Sequence, residues 1–234
     1  MSGVLAHTRP IVGTLCLLAA VYLLIYWLFT RPYKPEALVF PESALAHALL
    51  DGLEGVEIGA SAHNPFGLNT INVDFTNSSE MVFKRKEKDL SGGRTVAVDV
   101  VAEGDRLPFA NDSYDFVINS HVVEHFYDPI GAVEEWLRVV RPGGLVFMII
   151  PHKERTKDAR KPVTPAETLQ ARHTLNPEMK EVLMLQPRRT HQAVWVRDTF
   201  VELCQRVGWR VIASQEVDDK VGNGFTVVIQ KPYC

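Results

Sequence analysis

Between Gly55 and Gln230, short apolar runs alternate with stretches of helical period, and this alternation restricts the chain to a few layered folds. Gly55 to Ile58 (GVEI) reads as a strand that stops at Gly59. Thr70 to Val73 (TINV) is a second, ending in Asp74. Thr95 to Val101 is a third, Tyr114 to Asn119 a fourth, and Leu145 to Ile150 (LVFMII) a fifth that is buried on both faces. Pro129 to Val140 carries Ile130, Val133, Trp136, Leu137 and Val140 at amphipathic helical spacing, and Arg141-Pro142-Gly143-Gly144 breaks it. A helix around Phe200, Leu203, Cys204 and Val207 follows. Two closing strands, Trp209 to Val217 and Phe225 to Gln230, flank the turn Gly222-Asn223-Gly224. The expectation is an α/β fold with a mostly parallel sheet, helices on both faces and one antiparallel strand at the edge.

Ahead of that domain, Ile11 to Phe29 runs nineteen residues without a charge. At the α-helical rise this is roughly 28 Å, close to the hydrocarbon thickness of a bilayer. Tyr22, Tyr26 and Trp27 stand where an interfacial belt would lie. The run is too long for the apolar region of a signal peptide, and Phe29-Thr30-Arg31-Pro32 is a poor cleavage site. A core helix is disfavoured because the stretch is apolar all round. The expected organisation is a tail (1–10), a single transmembrane helix (11–29), a proline-containing linker (30–43) and one domain (44–234). Arg31 and Lys34 favour a cytoplasmic domain. The three cysteines form no CxxC pair or disulfide framework, which also suits a reducing compartment. With 25 basic and 28 acidic residues the net charge is −3, so no global positive field holds nucleic acid.

In open α/β sheets, ligands bind beyond the carboxyl ends of the strands. Gly59, Ala60 and Ser61 after the first strand would allow close approach to the backbone. Asp74, fifteen residues past Gly59, could accept hydrogen bonds from a ribose. A tight turn with a capping acid explains the same pair.

The middle of the chain is more specific. Glu103-Gly104-Asp105-Arg106-Leu107-Pro108-Phe109 precedes Asn111-Asp112-Ser113-Tyr114-Asp115-Phe116. Ser120-His121-Val122-Val123-Glu124-His125 and then Arg138-Val139-Val140-Arg141-Pro142-Gly143-Gly144 follow. This order resembles the class I S-adenosylmethionine-dependent methyltransferases of the type 11 group, over roughly residues 54 to 152. The resemblance implies a Rossmann-like sheet and S-adenosyl-L-methionine as cofactor. It implies that Glu57, Gly59 and Ser61 form the first cofactor motif, that Asp74 is the ribose acid, and that Glu103 or Asp105 contacts adenine. It also places Asn119 and Ser120 near the sulfonium. The chain departs from the group where Ser61 and His63 replace the second and third glycines of the first motif, and where Asn64-Pro65 and Gly67 leave little room for a helix between strands one and two. Some members of the group share such a connection.

His121-Val122-Val123-Glu124-His125 fits H-x-x-E-H, an inverted zinc-protease pattern, with His152, His173 or His191 as conceivable third ligands. The resembled group carries a similar stretch without metal, so no metal is expected and Glu124-His125 reads as a helix-start hydrogen-bond pair. His152, directly after the fifth strand, and His121, after the fourth, are the candidate catalytic bases, with loop bracing as the alternative for each. Residues 153–192 form a charged, proline-containing lid or insert, whose basic residues could meet lipid headgroups or an anionic substrate. The expected function is methyl transfer to a small-molecule or lipid-like acceptor at a membrane, with a membrane-protein partner conceivable. A catalytically inactive assembly subunit is the alternative. A nucleotide-dependent oxidoreductase would share the first-strand logic but leaves LPF, SYD and RPGG unexplained.

Overall fold

A computed structural model describes residues 20–23, 26, 39–60, 63–78, 80–184 and 190–233. Two compact units are present, Met1–Glu36 and Ala37–Cys234. In the first, residues 20–23 and 26 are helical, and the Tyr22 and Tyr26 rings stack at 6.4 Å. Most of the apolar run from Ile11 to Phe29 lies outside the described residues. Among those described, no helix is long and apolar enough to cross a membrane.

The second unit is a seven-stranded sheet in the order β3-β2-β1-β4-β5-β7-β6. The strands are β1 (Gly55–Ile58), β2 (Thr70–Asp74), β3 (Val100–Val101), β4 (Tyr114–Ser120), β5 (Val140–Pro151), β6 (Arg210–Gln215) and β7 (Gly224–Gln230). β1 pairs in parallel with β2 and β4, β4 with β5, and β2 with β3. β7 is antiparallel to both β5 and β6. The antiparallel strand is therefore one place in from the edge, which corrects the sequence expectation, and β6 takes the edge. The reason is burial. β7 is apolar on both faces and almost wholly buried, whereas β6 alternates exposed and half-buried residues, so only β7 suits an interior position. The third strand is also shorter than expected, because residues 94–98 run without regular structure and only Val100–Val101 pair with β2.

Alternation along β4 and β5 sends side chains to two separate cores. Val117, Val146, Met148 and Ile150 face one layer, which holds α3 (Pro129–Val139), α4 (Ala166–His173) and α6 (Arg197–Val207) through Trp136, Leu169 and Phe200. Phe116, Ile118, Phe147 and Ile149 face the other, covered by Ala46 and Leu50 of α1 (Ala44–Leu50) and by Phe66. The described residues between β1 and β2 contain no helix, so α1 and this loop cover the face that a crossover helix would otherwise occupy. Two of these helices, α1 and α3, begin with a side-chain cap. Ser43 accepts a hydrogen bond from Ala46 N at the start of α1. Asp128 accepts one from Gly131 N at the start of α3, with Pro129 in its first turn. The remaining helices are α2 (Val82–Leu90) and α5 (Pro177–Met184).

The insert is fastened to the domain. Leu169 is fully buried in the core, and Lys153, Arg155 and Lys161 are committed to Ala159 O, Glu216 and Asp158. Lys157 and Arg160 remain exposed, so less of the positive charge faces outward than the sequence suggests.

Candidate cofactor and acceptor site

The parallel strands β2, β1 and β4 end side by side. Ile58 is in register with Val73 on one side and with Asn119 on the other, which brings Gly59, Asp74, Asn119 and Ser120 to one edge. β1 is also where the strand order reverses direction, the place at which open α/β sheets form a crevice.

Gly59 sits in the left-handed region (φ +70°), and a Cβ there would stand 3.1 Å from Val122 Cγ2. Only glycine meets both demands. Its N–H donates to Val73 O, which locks the turn across the two strands. Ala60 follows and is buried, while Ser61 lies outside the described residues. Glu57, two residues before the turn, is buried and accepts hydrogen bonds from Phe66 N and Thr70 Oγ1, both at 3.4 Å. Burial pushes its carboxyl up to about 7. Glu57 thus braces the β1–β2 connection from within the fold.

Asp74 ends β2, buried, with its Oδ2 3.3 Å from Lys84 Nζ. Lys84, on α2, is buried and also pairs with Glu87 at 2.9 Å. Burial raises the Asp74 carboxyl above its ordinary value, and Lys84 opposes that shift. The ribose acid expected from the sequence therefore has an internal cation already beside it, a contact that strand reading could not supply. Beyond the end of β3, Gly104 is wedged between Phe126 and Ile58, and its carbonyl accepts a 2.6 Å hydrogen bond from Trp136 Nε1. This fixes the turn that holds Glu103 and Asp105, both half-buried. Asp105 Oδ1 has no hydrogen-bond partner among the described residues, and burial raises its carboxyl.

Asn119 is fully buried, yet neither its amide nitrogen nor its amide oxygen finds a partner among the described residues. Unsatisfied polar atoms in a core are costly and rare, so this pair marks a place where a ligand can complete the bonding. His121 adopts the left-handed region at φ +58°, uncommon for a residue other than glycine. Its ring packs edge-on against His63 at 4.7 Å, and His63 Nδ1 lies 3.5 Å from Ser120 Oγ. Burial lowers His63 to about 4 and His121 to about 3, so both imidazoles are neutral near pH 7. Sequence reading treated His63 only as a lost glycine. Its contact with Ser120, 57 positions away, has no local signal in the sequence.

His152 packs apart from these rings. Its Nδ1 accepts from Glu154 N at 3.2 Å, its Nε2 faces Glu216 at 3.5 Å, and its ring stands edge-on to Phe225. Its backbone N–H donates to Asn223 O. Both ring nitrogens therefore face protein partners, and burial lowers its basicity.

Comparison with known proteins bears directly on this crevice. Residues 55–148 match the family model of a methyltransferase domain. The matched stretch begins with β1 and ends within β5, so it spans Gly59, Asp74, the 103–105 turn and Asn119. An uncharacterized methyltransferase of Mycolicibacterium vanbaalenii is 37% identical over 107 residues, 46% of this chain and 40% of that protein. A demethylmenaquinone methyltransferase of Renibacterium salmoninarum is 26% identical over 194 residues, 79% of this chain and 73% of its own. The chain thus spans well under half the length of the first of these curated relatives. Among solved structures, a methyltransferase of Thermotoga maritima superposes with a TM-score of 0.47 at 17% identity, covering 80% of this chain and 86% of that one.

S-adenosylmethionine is the cofactor that the resemblance of the sequence implies, and the residues at this edge of the sheet fit it on three counts. Gly59 leaves space at the backbone. Carboxylate acceptors stand at the end of β2, buried, and after β3, half-buried, where hydroxyl and amine donors could be met. The orphaned Asn119 amide offers both a donor and an acceptor at the end of β4.

Proposed function

We propose that this chain transfers a methyl group from S-adenosylmethionine to a nucleophilic oxygen, nitrogen or carbon atom of a small acceptor. The observation that carries the reading is the unsatisfied, fully buried Asn119 beside the left-handed Gly59, inside the stretch that matches a methyltransferase domain. When bound, the cofactor supplies an activated methyl group, so the protein's contribution is mainly to position the partners and exclude water. Gly59, Ala60 and Ser61 would lie along the methionine portion, Asp74 would accept from the ribose, and Glu103 or Asp105 would contact the adenine. Asn119 and Ser120 would stand near the sulfonium.

His121 is the better candidate for receiving the acceptor's proton. Position favours it: it follows the strand that ends in Asn119 and Ser120, and its Nε2 has no hydrogen-bond partner among the described residues. The burial that keeps the ring neutral also makes it a weak proton acceptor until substrate brings polar groups beside it. His152 would then brace the short helical turn at Lys153–Arg155, whose first free N–H it caps.

The experiment is a calorimetric titration of the full-length chain, held in detergent, with S-adenosylmethionine. Saturable binding is expected. Asp74→Ala should weaken it by about 5- to 150-fold, the equivalent of about 1–3 kcal/mol for a hydrogen bond to a charged group. Glu87 still neutralises Lys84 in that variant. Absence of binding at millimolar cofactor would replace this reading with that of a catalytically inactive subunit, which the substitutions Ser61 and His63 and the Lys84–Asp74 pair favour.

The charge-free run from Ile11 to Phe29 supports a membrane setting, with a lipid-like acceptor and the domain on the cytoplasmic side. The full-length chain should then sediment with membranes, and a chain lacking residues 1–31 should remain folded and soluble. Free solubility of the intact chain would remove the anchor and, with it, the argument for a lipid-like acceptor.

A further inference from the structure

The fold assembles a second polar cluster that the methyl-transfer reading does not use. Glu124 lies in the single helical turn Val123–His125 after β4 and is fully buried. Neither of its carboxylate oxygens accepts a hydrogen bond from another described side chain. Instead, Oε1 faces two imidazole nitrogens, His125 Nε2 at 3.6 Å and His191 Nε2 at 3.7 Å. The three side chains can offer one donor atom each, all within 4.8 Å of one another. A tetrahedral zinc ion with bonds of about 2.1 Å places neighbouring donor atoms about 3.4 Å apart, so small side-chain adjustments would close the set.

The orientation of His191 is the stronger sign. Its other nitrogen, Nδ1, hydrogen-bonds to the buried carboxylate of Asp158, which is itself held by Lys161 at 2.7 Å. With the Nδ1 proton shared with Asp158, the Nε2 lone pair points toward Glu124. A carboxylate that fixes the tautomer and direction of a ligating histidine is the usual outer layer of a protein metal site. The backbone is equally fixed, since Gln192 N and Ala193 N both donate to Glu124 O. The set also differs from the H-x-x-E-H reading of the sequence. His121 turns away to pack on His63, and His191, from the far end of the insert, takes its place.

We propose that Glu124, His125 and His191 bind one divalent transition-metal ion of the zinc class, oriented by Asp158, and that the ion ties the end of the insert to the loop after β4. Two imidazole nitrogens with one carboxylate select such an ion over calcium or magnesium, which prefer all-oxygen sites. Three protein donors leave a fourth position for water or another ligand.

The test uses the full-length chain, stripped with a chelator and titrated with zinc chloride by calorimetry, with the thermal midpoint followed in parallel. One zinc per chain is expected, with a rise in thermal midpoint on binding. His191→Ala and Glu124→Ala should abolish saturable binding. Asp158→Asn, which touches no metal, should weaken it by about 10- to 100-fold. Should removal of a buried partner unfold the chain, His125→Ala, at a partly exposed position, must still lose stoichiometric zinc. No stoichiometric zinc in the wild type, or equal affinity in folded variants, would overturn the site. Cofactor titration is a separate readout, so a chain that binds zinc but not S-adenosylmethionine keeps this inference and loses the proposed function.

Discussion

Replacing His121 by Asn is expected to lower methyl-transfer turnover by about 10- to 100-fold, at or below the low end for a positioned proton acceptor because the buried ring is a weak base, while cofactor affinity stays within about threefold. Asn is the informative substitution because residue 121 sits at φ +58°, where Asn is tolerated and Ala is strained. A loss seen only with Ala would report on the backbone. Asn removes the imidazole and keeps the turn. The pH profile adds a second check. Burial and the neighbouring His63 hold His121 down to about 3, so it is deprotonated throughout the physiological range. The wild-type rate should therefore show no rise between pH 6 and 7 attributable to this ring. Full activity in His121→Asn would assign proton removal to the acceptor itself or to His63.

Glu57→Gln is expected to stabilise the protein relative to wild type by about 2.5 kcal/mol more at pH 8 than at pH 5. In the folded chain Glu57 keeps its proton to about pH 7, whereas an unfolded glutamate releases it near 4.5. A raised acid favours the folded state fully below the unfolded value, and that contribution is lost as pH rises from about 4.5 to 7. At about 1.36 kcal/mol per pH unit, most of the loss falls between pH 5 and 8. Gln carries no such proton, and its amide oxygen can still accept from Phe66 N and Thr70 Oγ1. The comparison must be made as a difference. His63 and His121 are depressed from 6.5 to about 4 and 3, so they add stability as pH rises to 6.5 and mask the Glu57 slope in the wild type alone. Urea midpoints of both proteins at pH 5 and pH 8 measure it. Parallel curves would show that Glu57 is ionised in the folded state, with the nearby charge of the buried Lys220, which opposes the upward shift, offsetting its burial.

How much of the site was legible depended on distance along the chain. Gly59 and Asp74 could be read because each ends a strand, and a strand's end is encoded by the residues within it. His63 and His191 could not, because their partners lie far away and meet them only through the register of β1 with β4 and the return of the insert. The Lys84–Asp74 pair escaped notice for the same reason. Nothing in the run VFKRKEKDL reveals which of its lysines is buried.

By itself the sequence determined what local periodicity and local sterics can determine. β1, β4 and the helix from Pro129 follow directly from apolar spacing and from the break at Arg141-Pro142-Gly143-Gly144. The ends of the parallel strands, and hence the crevice, follow as well. The tertiary structure decided which strand lies inside the sheet. β6 and β7 both have a strand-like pattern, and only the demand to bury both faces of β7 puts it between β5 and β6. It also decided which polar groups meet. Desolvation acts on a side chain according to everything packed around it, so the neutral His63–His121 pair, the proton-holding Glu57 and the Glu124–His125–His191 cluster exist only once the sheet has closed over them.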